Sequence, residues 1–405
     1  MRITFINQFY KPDVSPTAQL TAGVAEHFAK LGHEVTVIAS RGGYVKESTD
    51  GESTREVNLH VCRIWTPQLG KGSILKRCID YLVFYVLTFA RMLTMRRQDV
   101  VIALTTPPYI AWAGAFHRML HQNCKLMLWN MDCYPEVAER AGAMKAGGTM
   151  ARSMKWLNRR LFNRLDHLIC LDHAMADLLS PYHAKRDARS KPLPVTVIPN
   201  WERLEAYPVD ALPEQWAGVD ELELDGRFVV LYMGNMGFGH DFNTVLDAAG
   251  KLKDKPVTFL FIGGGKRYGE VAEQANIRGL KNVVTRPYLP WEEVPQAMTA
   301  GDCALITLRD DMLGVMSPSK VHANLAGGLP ILYVGPKDSN VDEAASHFDC
   351  GLSVQHGESD RIVDFIRELI EKPSKHQSLR DNARSAFDQM YNDRIALQKF
   401  EKLIA

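Results

Sequence analysis

Apolar residues along the chain come in short blocks, separated by stretches in which they recur every third or fourth position. In the first half the blocks Ile3–Ile6, Glu34–Ile38, Leu59–Ile64, Val100–Ala103, Lys125–Trp129, His167–Cys170 and Thr196–Ile198 read as strands. The stretches between them predict helices over about 17–30, 73–97 and 148–164, the first ended by Gly32. A second series begins at Phe228–Tyr232 and continues through Thr258–Ile262, Val283–Thr285, Cys303–Thr307 and Pro330–Val334. Strands that alternate with helices in this way build a parallel sheet covered by helices. Glu205–Arg227, with two prolines and no strong periodicity, separates the two series. The pattern therefore predicts an α/β protein with a first domain over residues 1–205, a linker over 206–227 and a second domain over 228–385. The last helix, about Asp381–Leu403, is expected to return to the first domain over residues 386–405. No long repeat recurs, which excludes a solenoid.

The length of 405 residues suits two cores rather than one. The formal net charge of +1 hides an asymmetry: residues 1–205 hold 27 Lys and Arg against 18 Asp and Glu, whereas residues 206–405 hold 21 against 29. Either the halves differ by chance or the first half faces something anionic. Seven scattered cysteines without a CxxC pair argue against a disulfide framework or a zinc site. Met1 runs directly into a strand rather than a signal peptide, so a reducing cytoplasmic location is expected. The longest apolar run, Tyr81–Ala90, is about half the length that spans a bilayer. Lys76 and Arg77 precede it and Arg91, Arg96 and Arg97 follow it, a pattern open to an interfacial helix.

Candidate chemistry gathers at strand ends. Val229–Tyr232 runs into Gly234, Gly237 and Gly239, with a helix expected from about Phe242. Such a turn either lets backbone N–H groups approach a diphosphate or is a tight strand-to-helix connection. Its spacing departs from the dinucleotide fingerprint. Pro318 and Ser319 open a helix that Ser317 or Ser319 can cap, and Lys320 then falls in the first turn. A cation there opposes the helix dipole, so it is either matched by a bound anion or solvated at the surface. Gly263–Gly265 and Arg286, Pro287 and Tyr288 follow two further strands of the same series, at the edge where open α/β sheets place ligands. In the first half Asp132 and Glu136 follow a strand, where the pair could transfer protons, orient a sugar hydroxyl or cap a helix.

Taken together and in this order, these segments resemble glycosyltransferase family 4, retaining enzymes of the GT-B fold, over essentially the whole chain. The matching segments are Asn7–Pro16, Gly32–Val37, Val197–Trp201, Gly234–Gly237 and Pro318–Lys320. Asp132–Glu136, Gly234–Gly237 and Pro318–Lys320 are most similar to the subgroup that builds bacterial exopolysaccharide and O-antigen units, including colanic-acid-type and fucosamine transferases. The resemblance implies two Rossmann-like domains facing across a cleft, the second holding a nucleotide-sugar donor, with UDP favoured. Gly234, Asn235, Gly237, Gly239, His240, Gly264, Ser317, Pro318, Ser319 and Lys320 would bind it, with Arg286, Pro287 and Tyr288 meeting the base. Asp132, Glu136 and Lys320 are the implied catalytic residues. Tyr10, Pro12, Ser15 and Asn130 would face a polyprenyl-linked glycan acceptor, and the basic helices would rest on the inner face of the membrane. No metal and no cofactor is implied.

The chain departs from the family pattern at two places. Val315 and Ala323 occupy the positions of two glutamates spaced eight apart, and Phe238, Gly239 and His240 stand where an Arg or Lys usually follows the glycine loop. His240 could partly replace that cation, or cap or pack. Two other readings compete with transfer: a nucleotide-sugar epimerase of the same fold, which has no use for basic helices, and a scaffold that binds a nucleotide sugar without turnover. Nucleic-acid binding is disfavoured by the absence of any recognised module.

Overall fold

The structure, a computed structural model, describes residues 1–13, 15–41, 57–67, 74–183, 192–207, 216–290 and 293–405. Residues 208–215 of the expected linker and Ser73 at an expected helix start lie outside the described residues. The chain forms two compact units, the first of Met1–Leu171, Ala176–Ile198 and Leu397–Ala405, the second of Asp172–Met175 and Pro199–Ala396.

In the first unit seven strands form one parallel sheet: β1 (Arg2–Ile6), β2 (Glu34–Ser40), β3 (Leu59–Ile64), β4 (Val100–Ala103), β5 (Lys125–Trp129), β6 (His167–Cys170) and β7 (Val195–Val197), in the order β3-β2-β1-β4-β5-β6-β7. Phe5 pairs with Val37 on one side and Ile102 on the other, and all three are fully buried. The central strands β1, β4, β5 and β6 are buried on both faces and so do not alternate, whereas the edge strands β3 and β7 are partly exposed. The order reverses direction between β1 and β4, opening a crevice beyond their C-terminal ends.

The second unit repeats the plan with six strands: β8 (Phe228–Asn235), β9 (Val257–Gly264), β10 (Val283–Arg286), β11 (Cys303–Thr307), β12 (Ile331–Val334) and β13 (Gly351–Val354), in the order β10-β9-β8-β11-β12-β13. Its reversal lies between β8 and β11. Strand β13 has no counterpart in the sequence reading. It is a short edge strand, and Gly351 lies so close to the Ile331 carbonyl that a Cβ would come within 2.0 Å of the oxygen. Below the sheet Tyr232, Phe242 and Phe261 interlock, with ring centroids 5.2 to 5.8 Å apart.

Three boundaries differ from the sequence reading. The unit border falls after Ile198, not after Glu205, because Glu202 bridges to Asn392 and the Leu204 amide donates to Asp393 Oδ1 at 3.0 Å. The expected final helix is broken. Pro373–Ala386 passes into a π turn over Phe387–Tyr391, and a fresh helix, Asp393–Ile404, starts after Asn392. Asn392 is extended; its amide donates to the Phe387 and Asp388 carbonyls at 3.0 and 2.8 Å, while its Oδ1 caps the Ile395 N–H at 3.1 Å. The long basic helix spans Ile74–Thr94 and ends before Arg96 and Arg97. Among the described residues no helix is long and apolar enough to cross a membrane.

Leu397–Ala405 belongs to the first unit through contacts that include two aromatic or charged pairs and a hydrogen bond from Lys399 Nζ to the Val197 carbonyl at 3.4 Å. Phe400, fully buried, packs edge-on against Trp129 with centroids 4.7 Å apart, and Glu401 pairs with His27 at 2.7 Å. Phe400→Ala should lower stability by about 3–5 kcal/mol through loss of buried ring and the cavity left behind. Urea denaturation followed by tryptophan fluorescence, which reports Trp129, measures the loss.

Candidate active site

Strands β8 and β9 stay in register to their last residues, Gly234 opposite Gly263 and Asn235 opposite Gly264. Gly234 has φ +123°, in the region that favours glycine. A Cβ on Gly263 would lie 2.0 Å from the Gly234 carbonyl oxygen. Gly263 is therefore demanded by backbone meeting backbone and Gly234 by its own φ, before any ligand is considered. The turn is then tied down by Met236 N–H donating to Gly264 O at 2.7 Å and Arg267 N–H to Met236 O at 3.0 Å.

The Asn235 carbonyl marks the centre of this turn. It accepts the Tyr232 hydroxyl at 2.9 Å and the Lys320 ammonium at 3.2 Å, while that ammonium also lies 5.0 Å from the centre of the Tyr232 ring. Lys320 is the first residue of the Lys320–Ala326 helix, and no side-chain hydrogen bond from Ser319 caps it. Burial pulls the Lys320 pKa down to about 8. No carboxylate is paired with it among the described residues, so its charge is held by a carbonyl and a ring face alone. Pro318 accepts at its carbonyl from Asn340 Nδ2 at 3.3 Å, which fixes the entry to the helix, and Ser317 donates to the buried carboxylate of Asp172.

His240 does not act as the substitute cation. It is buried, its ring stacks on Phe242 and meets the Tyr232 ring edge-on, and Nδ1–H donates to the Thr307 carbonyl at 2.8 Å. Burial, followed by the Lys320 charge, holds its pKa down at about 4, so the ring is neutral at pH 7. Two arginines that the sequence reading did not single out attach to the same loop instead. Arg309 donates from its backbone to Gly239 O at 2.9 Å and from Nη1 to Phe238 O at 3.3 Å, and Arg267 follows Gly265. Both carry a carboxylate neighbour, Asp311 and Glu270 respectively. Gly237 lies half-buried between the two ends of the loop. Val315 is buried and apolar, and Ala323 is half-buried.

At the outer end of β10, Arg286 pairs with Glu221. Pro287 follows, and the exposed Tyr288 lays its ring over Gly264, where a Cβ would stand 2.7 Å from the ring.

In the first unit the crevice is built around Thr105, beyond β4. Its hydroxyl accepts the backbone N–H groups of Met131 and Asp132 at 3.2 and 3.1 Å, fixing the chain as it leaves β5. A narrow pocket is lined by Thr105, Tyr109, Asn130, Asp132, Tyr134 and Asn158. Burial raises the Asp132 carboxyl above the usual range. Glu136, expected to act with Asp132, is placed elsewhere: it is buried and accepts the Tyr182 hydroxyl. Asn158 holds the same segment by donating to Tyr134 O at 2.6 Å.

At the end of β1, Asn7 Oδ1 and Gln8 Oε1 are buried with no hydrogen-bond partner among the described residues. Tyr10 is buried beneath the Arg63 guanidinium, 5.7 Å from its ring centre, and Ser15 spends its hydroxyl capping the Pro16–Lys30 helix through Ala18 N–H. Pro12 is exposed. Of the four residues expected to face an acceptor, only Asn130 lines the pocket. The expectation for the others comes from the resemblance of the Asn7–Pro16 segment, which says nothing about which side chains the cap and the core consume.

Residues 17–201 match the glycosyl transferase 4-like domain model and residues 218–386 match the glycosyl transferases group 1 model. WbjE of Pseudomonas aeruginosa, named as a glycosyltransferase, is 26% identical over 344 residues, covering 82% of this chain and 81% of its own length. WcaI of Escherichia coli K12, named as a colanic acid biosynthesis glycosyl transferase, is 23% identical over 403 residues, covering 96% and 97%. The crystal structure of HepE from Anabaena in complex with UDP superposes with a TM-score of 0.71 at 16% identity, covering 100% of this chain and 99% of that one. With a domain model matched on each side of the unit border and two parallel sheets of matching topology beneath them, the chain belongs to glycosyltransferase family 4 and has the GT-B fold.

Proposed function

We propose that this glycosyltransferase moves a hexose, with retention, from a nucleotide diphosphate donor to a membrane-associated, polyprenyl-linked glycan in cell-surface polysaccharide synthesis, and that it needs no metal. The observation that carries the donor side is Lys320: a cation with no carboxylate partner among the described residues, aimed at the glycine turn where β8 and β11 part. An uncompensated, partly desolvated ammonium at such a turn suits a diphosphate better than a protein partner. UDP is favoured because HepE, similar in fold, was crystallised with UDP and with UDP-glucose. The acceptor class is favoured by the name of WcaI, a colanic acid biosynthesis glycosyl transferase, and by the basic first half of the chain.

In this reading the turn and Lys320 hold the diphosphate, with Arg267 and Arg309 keeping the loop in shape, and Tyr288 offers its face to the base. The acceptor hydroxyl attacks the anomeric carbon from the side of the departing diphosphate. The bond from that carbon to the diphosphate oxygen breaks, the electron pair leaves with the diphosphate, and the acceptor proton passes to a diphosphate oxygen. Lys320 stabilises the charge that builds there. Asp132 orients the acceptor sugar through its hydroxyls, and Glu136, locked to Tyr182, holds the Asp132 segment in place.

Thermal unfolding against UDP, GDP, ADP, CMP and dTDP, each with and without magnesium, tests the donor side. UDP should raise the melting temperature whether or not metal is present; no shift with any nucleotide would leave the donor site without support. Lys320→Ala should erase that shift and cut transfer by about 10²–10³-fold. An unchanged rate would remove Lys320 from the reaction.

The pH dependence has a definite sign. Lys320 in the free protein loses its proton as pH rises through about 8, and the anion binds the charged form, so UDP affinity should fall between pH 7.5 and 9.5. Calorimetric titration across that window reads it, and a flat affinity would contradict the assignment. Asp132→Asn should lower transfer by about 10²-fold while leaving the UDP-induced shift intact. Retained transfer in that variant would exclude Asp132 from acceptor handling.

A further inference from the structure

The first unit carries an apolar surface that its own core does not use. Along the Ile74–Thr94 helix Phe84, Thr88 and Met92 are buried, whereas Leu82, Val86 and Leu93 stand more than half exposed. The Ala111–Leu120 helix adds the exposed Phe116, Met119 and Leu120, with Phe116 edge-on to Phe89 at 5.3 Å. The Thr149–Phe162 helix adds Trp156, 52% exposed. Among these helices lies a groove of about 500 Å³ lined by Tyr85, Phe89, Trp112, Phe116, Trp156 and Leu157. Exposed apolar area of this extent on a folded unit marks a binding surface.

One side of the groove is cationic. The Arg160 guanidinium lies 4.7 Å from the Trp156 ring centre, and that of Arg164 lies 5.6 Å from the Trp112 ring centre. The neighbouring ion pairs are Arg118 with Asp166 and Lys155 with Glu139; among the described residues neither Arg160 nor Arg164 has a carboxylate partner. Trp112 Nε1 is buried and has no acceptor among the described residues. Stacking holds each guanidinium plane in place while its N–H fork stays free, a geometry that suits phosphate oxygens. A second copy of this chain fits poorly, because a two-fold contact would set the same unneutralised arginines against one another.

We infer that this groove binds a single hydrocarbon chain ending in phosphate, the chain lying against Tyr85, Phe89, Phe116 and Leu157 and the phosphate against Arg160 and Arg164. The inference rests on the proposed lipid-linked acceptor and gives its lipid end a site of its own, which shares only Tyr109 with the lining of the Asp132 pocket among the described residues. Burial of the chain supplies the attraction and the guanidiniums select the charged end.

Geranylgeranyl phosphate, kept below its micelle concentration, is the probe, and emission from Trp112 and Trp156 is the signal. The wild-type protein should show a saturable blue shift. Arg160→Gln/Arg164→Gln and, separately, phosphate-free geranylgeraniol should each raise the apparent Kd at least tenfold. Both arginines are exposed, so the double variant should melt where the wild type does. An unchanged emission spectrum, equal affinity in the double variant, or a dimer in sedimentation that Leu82→Lys dissolves would each overturn the inference. The UDP-induced thermal shift is measured on the same preparations. If it persists without lipid binding, the groove fails and the donor reading stands; if lipid binds and no nucleotide does, the groove stands and the transferase reading fails.

Discussion

Strands β8 and β9 remain paired in register as far as Asn235 and Gly264, the last residue of each strand. That continued pairing is possible because Gly263 carries no Cβ to strike the Gly234 carbonyl, and it brings the Asn235 carbonyl to a defined place at the crossing of the sheet. Everything else at this end of the second unit is arranged around that oxygen. Tyr232 rises from within the strand to donate to it, Lys320 reaches it from a separate helix, and the Tyr232 ring offers the ammonium a partial negative face. A larger residue at Gly263 would part the strands and leave Lys320 without a seat.

The departure from the family pattern in the glycine loop has a physical counterpart here. Where a cation usually follows the loop, His240 is folded inward as a neutral core ring, and positive charge reaches the loop from outside it, through Lys320, Arg267 and Arg309. Val315, which the resemblance sets at the place of one family glutamate, is buried.

The first unit shows how one motif divides its labour. Asp132 and Glu136 read as an equivalent pair of carboxylates in the sequence. In the fold, Thr105 draws the Asp132 backbone towards the crevice while Tyr182 takes Glu136 into the interior. One carboxylate is left facing a pocket and the other anchors the loop that presents it. Neither Thr105 nor Tyr182 carries a motif that would mark it in advance.

The sequence by itself determined the two α/β units, nearly every strand and the glycine and lysine segments of the candidate site, because parallel strands buried on both faces are continuously apolar and glycines at their ends are visible as breaks. Strand β13 escaped, being short, only partly buried and opened by a glycine, and the final helix was read through the Asn392 break because its apolar period continues on both sides. The tertiary structure alone decided which polar side chains are consumed by the fold. Ser15 is spent on a helix cap, Tyr10 lies under Arg63 and His240 is tied to Thr307, whereas Asn130 and Asp132 line a pocket with Thr105, Tyr109, Tyr134 and Asn158. It also decided that Trp112, Trp156, Arg160 and Arg164 share a groove. Periodicity records which way a residue faces on its own element; the partner it meets there is set by another element far away in the chain, and no local pattern carries that information.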